Sequence, residues 1–237
     1  MGIFDILAGM LAGGSGGSEA AKHYKTGVKL QRNGRLEDAV AEYDLAIGLE
    51  PALVQAYSNR GGAHIHLGRP EIAIKDLDEA IRLNPSLAAS YGNRGLAYTS
   101  LGQHQRAIRD LDEAIRLNPR FADAFSSRGF AYNSLGQRQR AIQDFDQAVR
   151  LDPRFAVAYN NRADVYLTLG QAEKAVKDLN KAIRLDPWLA AGYVNRAMAL
   201  TLLGKDLEAE RDMGLAVQLG IDRPVLEEKI AELKQKR

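Results

Sequence analysis

The sequence contains no cysteine, a single tryptophan and no long apolar run. Without cysteine there are no disulfides, no thiolate nucleophile and no cysteine-ligated metal. No apolar stretch approaches the roughly 20 residues that a membrane-spanning helix needs. An excess of charge of one sign is also missing, because 32 basic and 30 acidic residues leave a net charge of +2. This balance gives no basic stripe for nucleic acid, so we expect no nucleic-acid partner.

Signals for targeting and for catalysis are missing as well. The N-terminus lacks the Lys/Arg-containing start and the Ala-x-Ala-like site of a secretory signal. We therefore expect a cytoplasmic location, with export by a route that leaves no such signal as the alternative. His64 and His66 would point about 200° apart on a helix, which does not make a metal pair. No GxSxG or GxxxxGK[ST] motif occurs. The sequence predicts no enzyme, no metal and no cofactor.

What the sequence does have is a period of 34 residues. The segment DLDEAIRLNP occurs at 76–85 and again at 110–119. The same step relates a proline, an aromatic residue, a glycine and two alanines in successive units. The prolines are Pro51, Pro85, Pro119, Pro153 and Pro187. A fixed period of this length is typical of a solenoid of stacked repeats.

Each unit has the pattern of two helices. In residues 88–121, AASYGNRGLAYTSLG has apolar or small residues at helical spacing and ends at Gly102, a favourable C-terminal cap. QHQRAIRDLDEAIRLNP then carries one broad apolar face, and Pro119 follows where it cannot extend the helix. Small residues such as Gly95 would let the two helices approach closely.

These features resemble the tetratricopeptide repeat family, whose pattern is an aromatic residue, Gly or Ala, an aromatic residue, Gly, Ala, an aromatic residue or Leu, Ala and Pro. In residues 122–155 the matches are Phe125, Gly129, Tyr132, Gly136, Ala141, Phe145, Ala148 and Pro153. The resemblance implies an all-α fold, a right-handed α-solenoid of stacked antiparallel helix pairs. It divides residues 19–223 into six repeats, at 20–53, 54–87, 88–121, 122–155, 156–189 and 190–223.

The two ends depart from this pattern. His23 replaces an aromatic residue in the first repeat, and Ile221 replaces the proline of the sixth. Residues 224–237 are predicted to form a capping helix, with a narrow apolar stripe of Val225, Leu226, Ile230 and Leu233. Residues 1–12 are predicted to form a short amphipathic helix, and 13–18 a Gly/Ser linker that also resembles an engineered one.

Every repeat after the first carries an arginine where the family pattern has an apolar residue, and an aspartate 16 residues later. A half-buried guanidinium needs a carboxylate, and its planar fork fits one. We therefore expect a structural pair within each repeat, with ligand binding by the arginines as the alternative. The pairs are Arg60 with Asp76, Arg94 with Asp110, Arg128 with Asp144, Arg162 with Asp178, and Arg196 with Asp212.

An asparagine precedes four of these arginines, at Asn59, Asn93, Asn161 and Asn195. The resemblance implies that this position faces a concave groove, where an asparagine ladder would hold the main chain of a peptide through amide donors and acceptors. The alternatives are that these asparagines bridge neighbouring helices or are solvated. Apolar groove residues, which suit an amphipathic helix, are predicted at Leu96, Phe130 and Met198.

The opening segment is two-faced on a helical wheel, because six apolar residues fall within about 160°. These are Ile3, Phe4, Ile6, Leu7, Met10 and Leu11. A helix this short is marginal alone and needs a surface. The alternatives are a cap on the first repeat, the groove of another copy, a membrane, or disorder. A membrane contact is less favoured because the segment has no Lys or Arg.

The sequence therefore predicts a non-catalytic scaffold for protein–protein interaction, whose groove binds a peptide or an amphipathic helix. The foremost hypothesis for the occupant is the N-terminal helix of a neighbouring copy. Such a head-to-tail contact would give a homo-oligomer or a filament. The alternative is a monomeric adaptor for a foreign client protein, with the N-terminal helix as a cap or a membrane contact.

Overall fold

The computed structural model describes residues 18–236, and the predictions made for residues 1–17 lie outside them. The described chain consists of helices joined by short turns. They are α1 (Glu19–Arg32), α2 (Leu36–Leu49), α3 (Val54–His66), α4 (Pro70–Leu83), α5 (Ala88–Ser100), α6 (His104–Leu117), α7 (Ala122–Ser134), α8 (Arg138–Leu151), α9 (Ala156–Thr168), α10 (Ala172–Leu185), α11 (Ala190–Leu202), α12 (Asp206–Gln218) and α13 (Arg223–Lys236).

The chain divides into two compact units, and the division falls between Ala131 and Tyr132, inside α7. Within a unit, the first helix of each repeat packs against the second helix of the same repeat, as α5 does against α6. Within a unit, second helices also pack against the first helix of the following repeat, as α4 does against α5. The predicted all-α repeat architecture is confirmed.

The turns explain the recurring glycines and prolines. Gly102 ends α5 with φ at +70°, a left-handed conformation that glycine adopts without steric cost. Its N–H donates to Thr99 O at 2.9 Å. After α6, Asn118 Oδ1 accepts from Arg120 N at 3.1 Å, and Pro119 between them cannot continue the helix. The glycine turn recurs in all six repeats and the Asn/Asp–Pro turn in repeats two to five, which accounts for the 34-residue period.

Close packing within a repeat depends on small residues. A Cβ atom on Gly95 would lie 2.7 Å from Leu111 Cγ, nearer than any side chain could stay. Ala107, Leu111 and Ala114 on α6 are fully buried against α5 and its neighbours. The expected close approach of the two helices is therefore present in the structure.

The two ends of the described chain differ in detail from the predictions. Ser18, assigned from the sequence to the linker, is the N-cap of α1, and its Oγ accepts from Ala21 N at 3.2 Å. Leu226 and Ile230 bury α13 against the sixth repeat. Val225, expected on the same apolar stripe, is 63% exposed because it lies about 100° around the helix from Leu226.

Candidate peptide-binding face

The predicted arginine–aspartate pairs are bidentate wherever both partners lie in one unit. Arg94 Nε and Nη2 donate to Asp110 at 2.7 and 2.8 Å. Arg162 makes the same fork with Asp178, at 2.7 Å for both bonds. Equivalent forks join Arg60 to Asp76 and Arg196 to Asp212.

The remaining predicted pair is Arg128 with Asp144. These two residues belong to different units, so their pairing stays a prediction.

Each arginine also has a second partner that the sequence analysis missed. Arg94 Nη1 donates to Asp78 on the second helix of the preceding repeat, at 2.6 Å. The equivalent bonds join Arg60 to Asp44, Arg128 to Asp112 at 2.6 Å, Arg162 to Asp146 at 2.6 Å, and Arg196 to Asn180 at 2.8 Å. One guanidinium therefore links the second helices of two successive repeats.

A sequence signal for this second partner exists. The aspartates of the DLDEA segment stand two residues apart, as at Asp76 and Asp78. The first lies 16 residues after its arginine and the second 16 residues before the next. We refer to the chain of alternating arginines and aspartates as the arginine ladder.

The guanidinium groups of the arginine ladder are largely buried and remain charged, as Arg94 illustrates. The side chain of Arg94 is only 19% exposed. The hydrogen bonds that Arg94 donates to Asp110 raise the pKa of its guanidinium by more than burial lowers it, so the side chain stays charged. The guanidinium also lies 5.7 Å from the centre of the Tyr91 ring, in cation–π range. These contacts join helices of the fold, and the structural role expected of the pairs stays a prediction.

The first repeat replaces the arginine by another contact. Thr26 stands at the arginine position. His23 Nδ1 lies 2.7 Å from Glu42 Oε2, on the second helix of the same repeat. This pair joins α1 to α2 only, whereas the arginines join three helices.

His64 is a buried histidine at a position where repeats three to five carry tyrosine. It is 7% exposed, and no hydrogen-bond partner of its Nδ1 is found among residues 18–236. Burial lowers the pKa of His64, and the positive charges of Arg60 and Arg69 add to this, while Asp76 opposes it. The neutral imidazole is therefore the form that suits the fold.

The first helices carry the predicted binding residues on the side that faces away from the second helices. On α9 this side carries Val157, Asn161, Asp164 and Thr168, which recur at helical spacing. On α11 the equivalent side carries Ala191, Asn195, Met198 and Leu202. We call this side the first-helix face and treat each unit separately.

In unit one the predicted ladder asparagines bridge successive first helices. Asn59 Nδ2 donates to Tyr24 Oη at 3.1 Å, and both side chains are buried. Asn93 Nδ2 donates to Ser58 O at 3.4 Å, and Asn93 is 5% exposed. These bonds correspond to the bridging alternative. Burial of Tyr24 raises its phenol pKa, although the bond from Asn59 opposes the shift.

In unit two the asparagines are more accessible. Asn195 Nδ2 donates to Asn160 Oδ1 at 3.1 Å, and Asn160 Nδ2 donates to Asn161 Oδ1 at 3.3 Å. Asn161 and Asn195 are both half-buried. The ladder as a peptide site stays a prediction, and unit two is where amide groups reach the surface.

The bridging partners form a second signal that the sequence analysis missed. Tyr24, Ser58 and Asn160 each stand 35 residues before the asparagine that bonds to them, one repeat plus one residue. Each therefore directly precedes the asparagine position of its own repeat. Tyr24 and Asn160 accept through their side chains and Ser58 through its main-chain oxygen, so a polar residue directly before the asparagine position indicates the bridge in two of the three cases.

The predicted apolar groove residues differ in exposure. Phe130 is 43% exposed, whereas Leu96 and Met198 are half-buried. In unit two, Met198 packs partly against the core of the sixth repeat. Val157, on the same face, is 43% exposed. Unit two therefore combines an exposed valine with half-exposed amides.

Among residues 18–236, no three His, Asp or Glu side chains form a group that could hold a metal ion. None of the helices described there is long and apolar enough to cross a membrane.

The fold and this face define a helical-repeat protein of the kind that serves as a protein–protein interaction scaffold. A tetratricopeptide repeat model matches residues 54–87 and 156–189. A second model of the TPR repeat matches 95–136 and 131–170. Together these matches cover more than half of the 237 residues. The chain belongs to the tetratricopeptide repeat family, as its residue pattern predicted.

Solved structures of this family resemble the chain. MamA is 28% identical, with 68% of this chain and 94% of that chain covered and a TM-score of 0.56. TTC0263, a thermophilic TPR protein in Thermus thermophilus, is 25% identical, with 76% and 98% covered and a TM-score of 0.68. YrrB, a TPR protein with an unusual peptide-binding site, shares the fold at 19% identity, with 78% and 96% covered and a TM-score of 0.58. No curated protein matches the chain.

Proposed function

We propose that this chain is a non-catalytic scaffold that binds an amphipathic helix or a peptide of a partner protein on the first-helix face of unit two. The observation that carries this proposal is the mixed surface around Val157, 43% exposed, with the half-exposed amides of Asn161 and Asn195 beside it. Apolar side chains and solvent-accessible amide groups are the two features that a peptide's side chains and main chain need.

The charge of the first-helix face in unit two limits which peptides fit it. The face residues of α9 and α11 named above include one carboxylate, Asp164, and no Lys or Arg. Asp164 Oδ2 accepts from Asn133 Nδ2 at 3.4 Å, a long bond that leaves the carboxylate open to a stronger donor. A ligand rich in acidic residues is therefore disfavoured, and an apolar helix with neutral or basic polar residues fits.

Selection from a displayed peptide library tests this proposal. The bait is the chain, and the counter-selection uses the double variant Val157→Glu with Met198→Glu. Leu215→Glu on α12, whose leucine is 40% exposed, is a matched control outside the face. We expect enriched peptides to be apolar on one side, to bind the control and to lose at least about tenfold in affinity on the double variant. Peptides that bind all three proteins equally would refute this site.

A second candidate function is self-assembly, in which the N-terminal segment of one copy occupies the face of the next. The composition of residues 3–11 favours it, because six large apolar side chains on so short a segment need cover. Light scattering over a concentration series, on the full chain and on a variant lacking residues 1–17, tests it. Oligomers that disappear on truncation support assembly, and a monomer in both cases rejects it.

A further inference from the structure

The outer side of α2 is apolar and exposed. Ala41, Leu45, Gly48 and Leu49 recur at helical spacing on one side, opposite the buried positions of the helix. Leu45 is 51% exposed and Leu49 is 56% exposed. A Cβ atom on Gly48 would meet nothing within 4 Å. We call these four residues the α2 stripe.

The α2 stripe differs from the second helices of repeats two to five at the positions of Leu45 and Gly48, whereas Leu49 recurs as leucine in every repeat and repeat six has Leu215 in place of Leu45. Where α2 has Leu45, repeats two to five carry Glu79, Glu113, Gln147 and Lys181. Where it has Gly48, they carry Arg82, Arg116, Arg150 and Arg184. In repeats two and three these side chains pair with each other, as Arg82 does with Glu79 at 2.6 and 2.8 Å. The fold therefore does not require a leucine and a glycine at the positions of Leu45 and Gly48, so their presence in α2 needs another reason.

An extension of the repeat stack does not supply that reason. The α1 surface on which a preceding helix would pack carries Lys22, Thr26 and Lys29, all exposed. One repeat later, Ala56 and Ala63 replace the two lysines and are fully buried. An apolar helix packed on this α1 surface would bury two ammonium groups, one of them paired with the surface carboxylate of Glu19 at 3.0 Å, and burying such charges is costly. An apolar partner for the first repeat therefore belongs on α2.

The start of α1 lies at the same end of the helix pair as the α2 stripe. α1 and α2 are antiparallel: a Cβ atom on Gly27 would lie 2.6 Å from Tyr43 Cε1, and His23 contacts Glu42. Ser18 therefore lies beside the last turn of α2, where Leu49 is exposed. Packed helix axes are about 8–10 Å apart. A Gly-rich linker of the length of residues 13–17 has a root-mean-square span of about 12 Å, which covers that gap.

The lengths also agree. Ala41 to Leu49 spans about 12 Å along α2 at the helical rise per residue. Residues 3–11 contain the same number of residues, and as a helix would span the same about 12 Å. Their six apolar side chains could therefore cover the whole α2 stripe.

We propose that residues 3–11 dock as an amphipathic helix on the α2 stripe of their own chain. A short linker gives a tethered segment an effective concentration on the order of millimolar, which favours its own α2 over that of another copy. This inference goes beyond the proposed function and leaves the first-helix face free for a partner. It competes with the self-assembly candidate for the same segment.

Hydrogen exchange of the full chain, read by mass spectrometry on the peptide that contains residues 3–11, tests the inference. The perturbing variant is Leu45→Glu with Gly48→Arg, which reproduces the Glu79–Arg82 pair and so keeps a surface that this fold already accepts. Leu215→Glu changes the equivalent position of the sixth repeat and is the control. In the original chain and in the control, we expect residues 3–11 to exchange at least about tenfold more slowly than a random coil. In the double variant, we expect this protection to be lost.

Repeating the exchange measurement over a series of protein concentrations separates docking within one chain from self-assembly between copies. Protection that is independent of protein concentration, in a monomer, supports docking within one chain. Protection that appears only as concentration rises would overturn the inference in favour of exchange between copies. Random-coil exchange in the original chain, or protection unchanged by L45E/G48R, would also overturn it. None of these outcomes depends on the peptide-library selection that tests the first-helix face of unit two. The docking of residues 3–11 and the peptide-binding function can therefore fail separately.

Discussion

Arg94 is paired with two carboxylates, and removing each of them in turn tests how the arginine ladder stabilises the fold. Asp110 accepts two bonds from Arg94, and its side chain is 11% exposed. Asp78 accepts one bond and is 55% exposed. The two partners of one guanidinium therefore differ in bond number and in burial, so Asp110→Ala and Asp78→Ala should differ in their effect.

The expected magnitudes follow from burial. Asp110→Ala leaves a guanidinium that is 19% exposed with only its outer partner. Breaking a buried pair costs about 3–5 kcal/mol, and the remaining Asp78 bond reduces this to about 2–3 kcal/mol here. Asp78→Ala removes an exposed partner and should cost about 0–1 kcal/mol. The double variant Arg94→Leu with Asp110→Ala removes the buried charge itself, so it should cost less than Asp110→Ala alone.

Urea unfolding followed by far-UV circular dichroism measures these differences as midpoints and slopes. The reasoning predicts that Asp110→Ala has the lowest midpoint and that the double variant recovers part of the loss. Equal midpoints for Asp110→Ala and Asp78→Ala would refute the role of burial. A double variant at least as unstable as Asp110→Ala would refute the claim that an unpaired charge, rather than a lost contact, causes the destabilisation.

Three further predictions use single positions. The pKa of His64 is lowered, so its contribution to stability is full above the unfolded-state pKa and is lost as pH falls through the folded-state pKa; His64→Tyr should flatten the fall in melting temperature on acidification. Gly95→Ala should cost about 1–3 kcal/mol in urea unfolding because its Cβ would lie 2.7 Å from a leucine of α6, whereas Gly214→Ala meets nothing within 4 Å and should be neutral or stabilising. Asn180→Asp gives Arg196 a charged acceptor and should raise the melting temperature slightly at low salt but not at high salt.

The fold was predictable because each repeat carries the same local sequence signals for its helices and turns. Gly102 at the end of α5 and Pro119 after α6 set the turns, and both follow from conformational preferences that act within a few residues. The forks from arginine to the aspartate of the same repeat could also be predicted, because a half-buried guanidinium requires a carboxylate. Repetition makes such inferences reliable, since one pattern is tested several times in one chain.

Contacts between repeats were harder to predict. Asp78 and Tyr24 act on the following repeat, at separations of 16 and 35 residues, and neither separation is a multiple of the repeat. A single-repeat analysis treats both as surface residues of their own helix. The asparagines were placed on the correct helices, but the partner of Asn59 could be found only from how two first helices meet. The binding site is less predictable still, because nothing in the chain requires a ligand's contacts to repeat.

The composition of the arginine ladder follows the presence of neighbours. Thr26 stands one repeat before Arg60, on an α1 surface that carries exposed lysines. Ile230, on α13, stands one repeat after Arg196 and is buried in the core that α13 forms with the sixth repeat. Gly214, which would be the outer acceptor for an arginine at that position, has no carboxylate to offer. An arginine is thus present in each of repeats two to six, and its outer acceptor is an aspartate in four of the five cases and Asn180 in the fifth. Because an unpaired buried charge is costly, this is the distribution that selection for stability would produce.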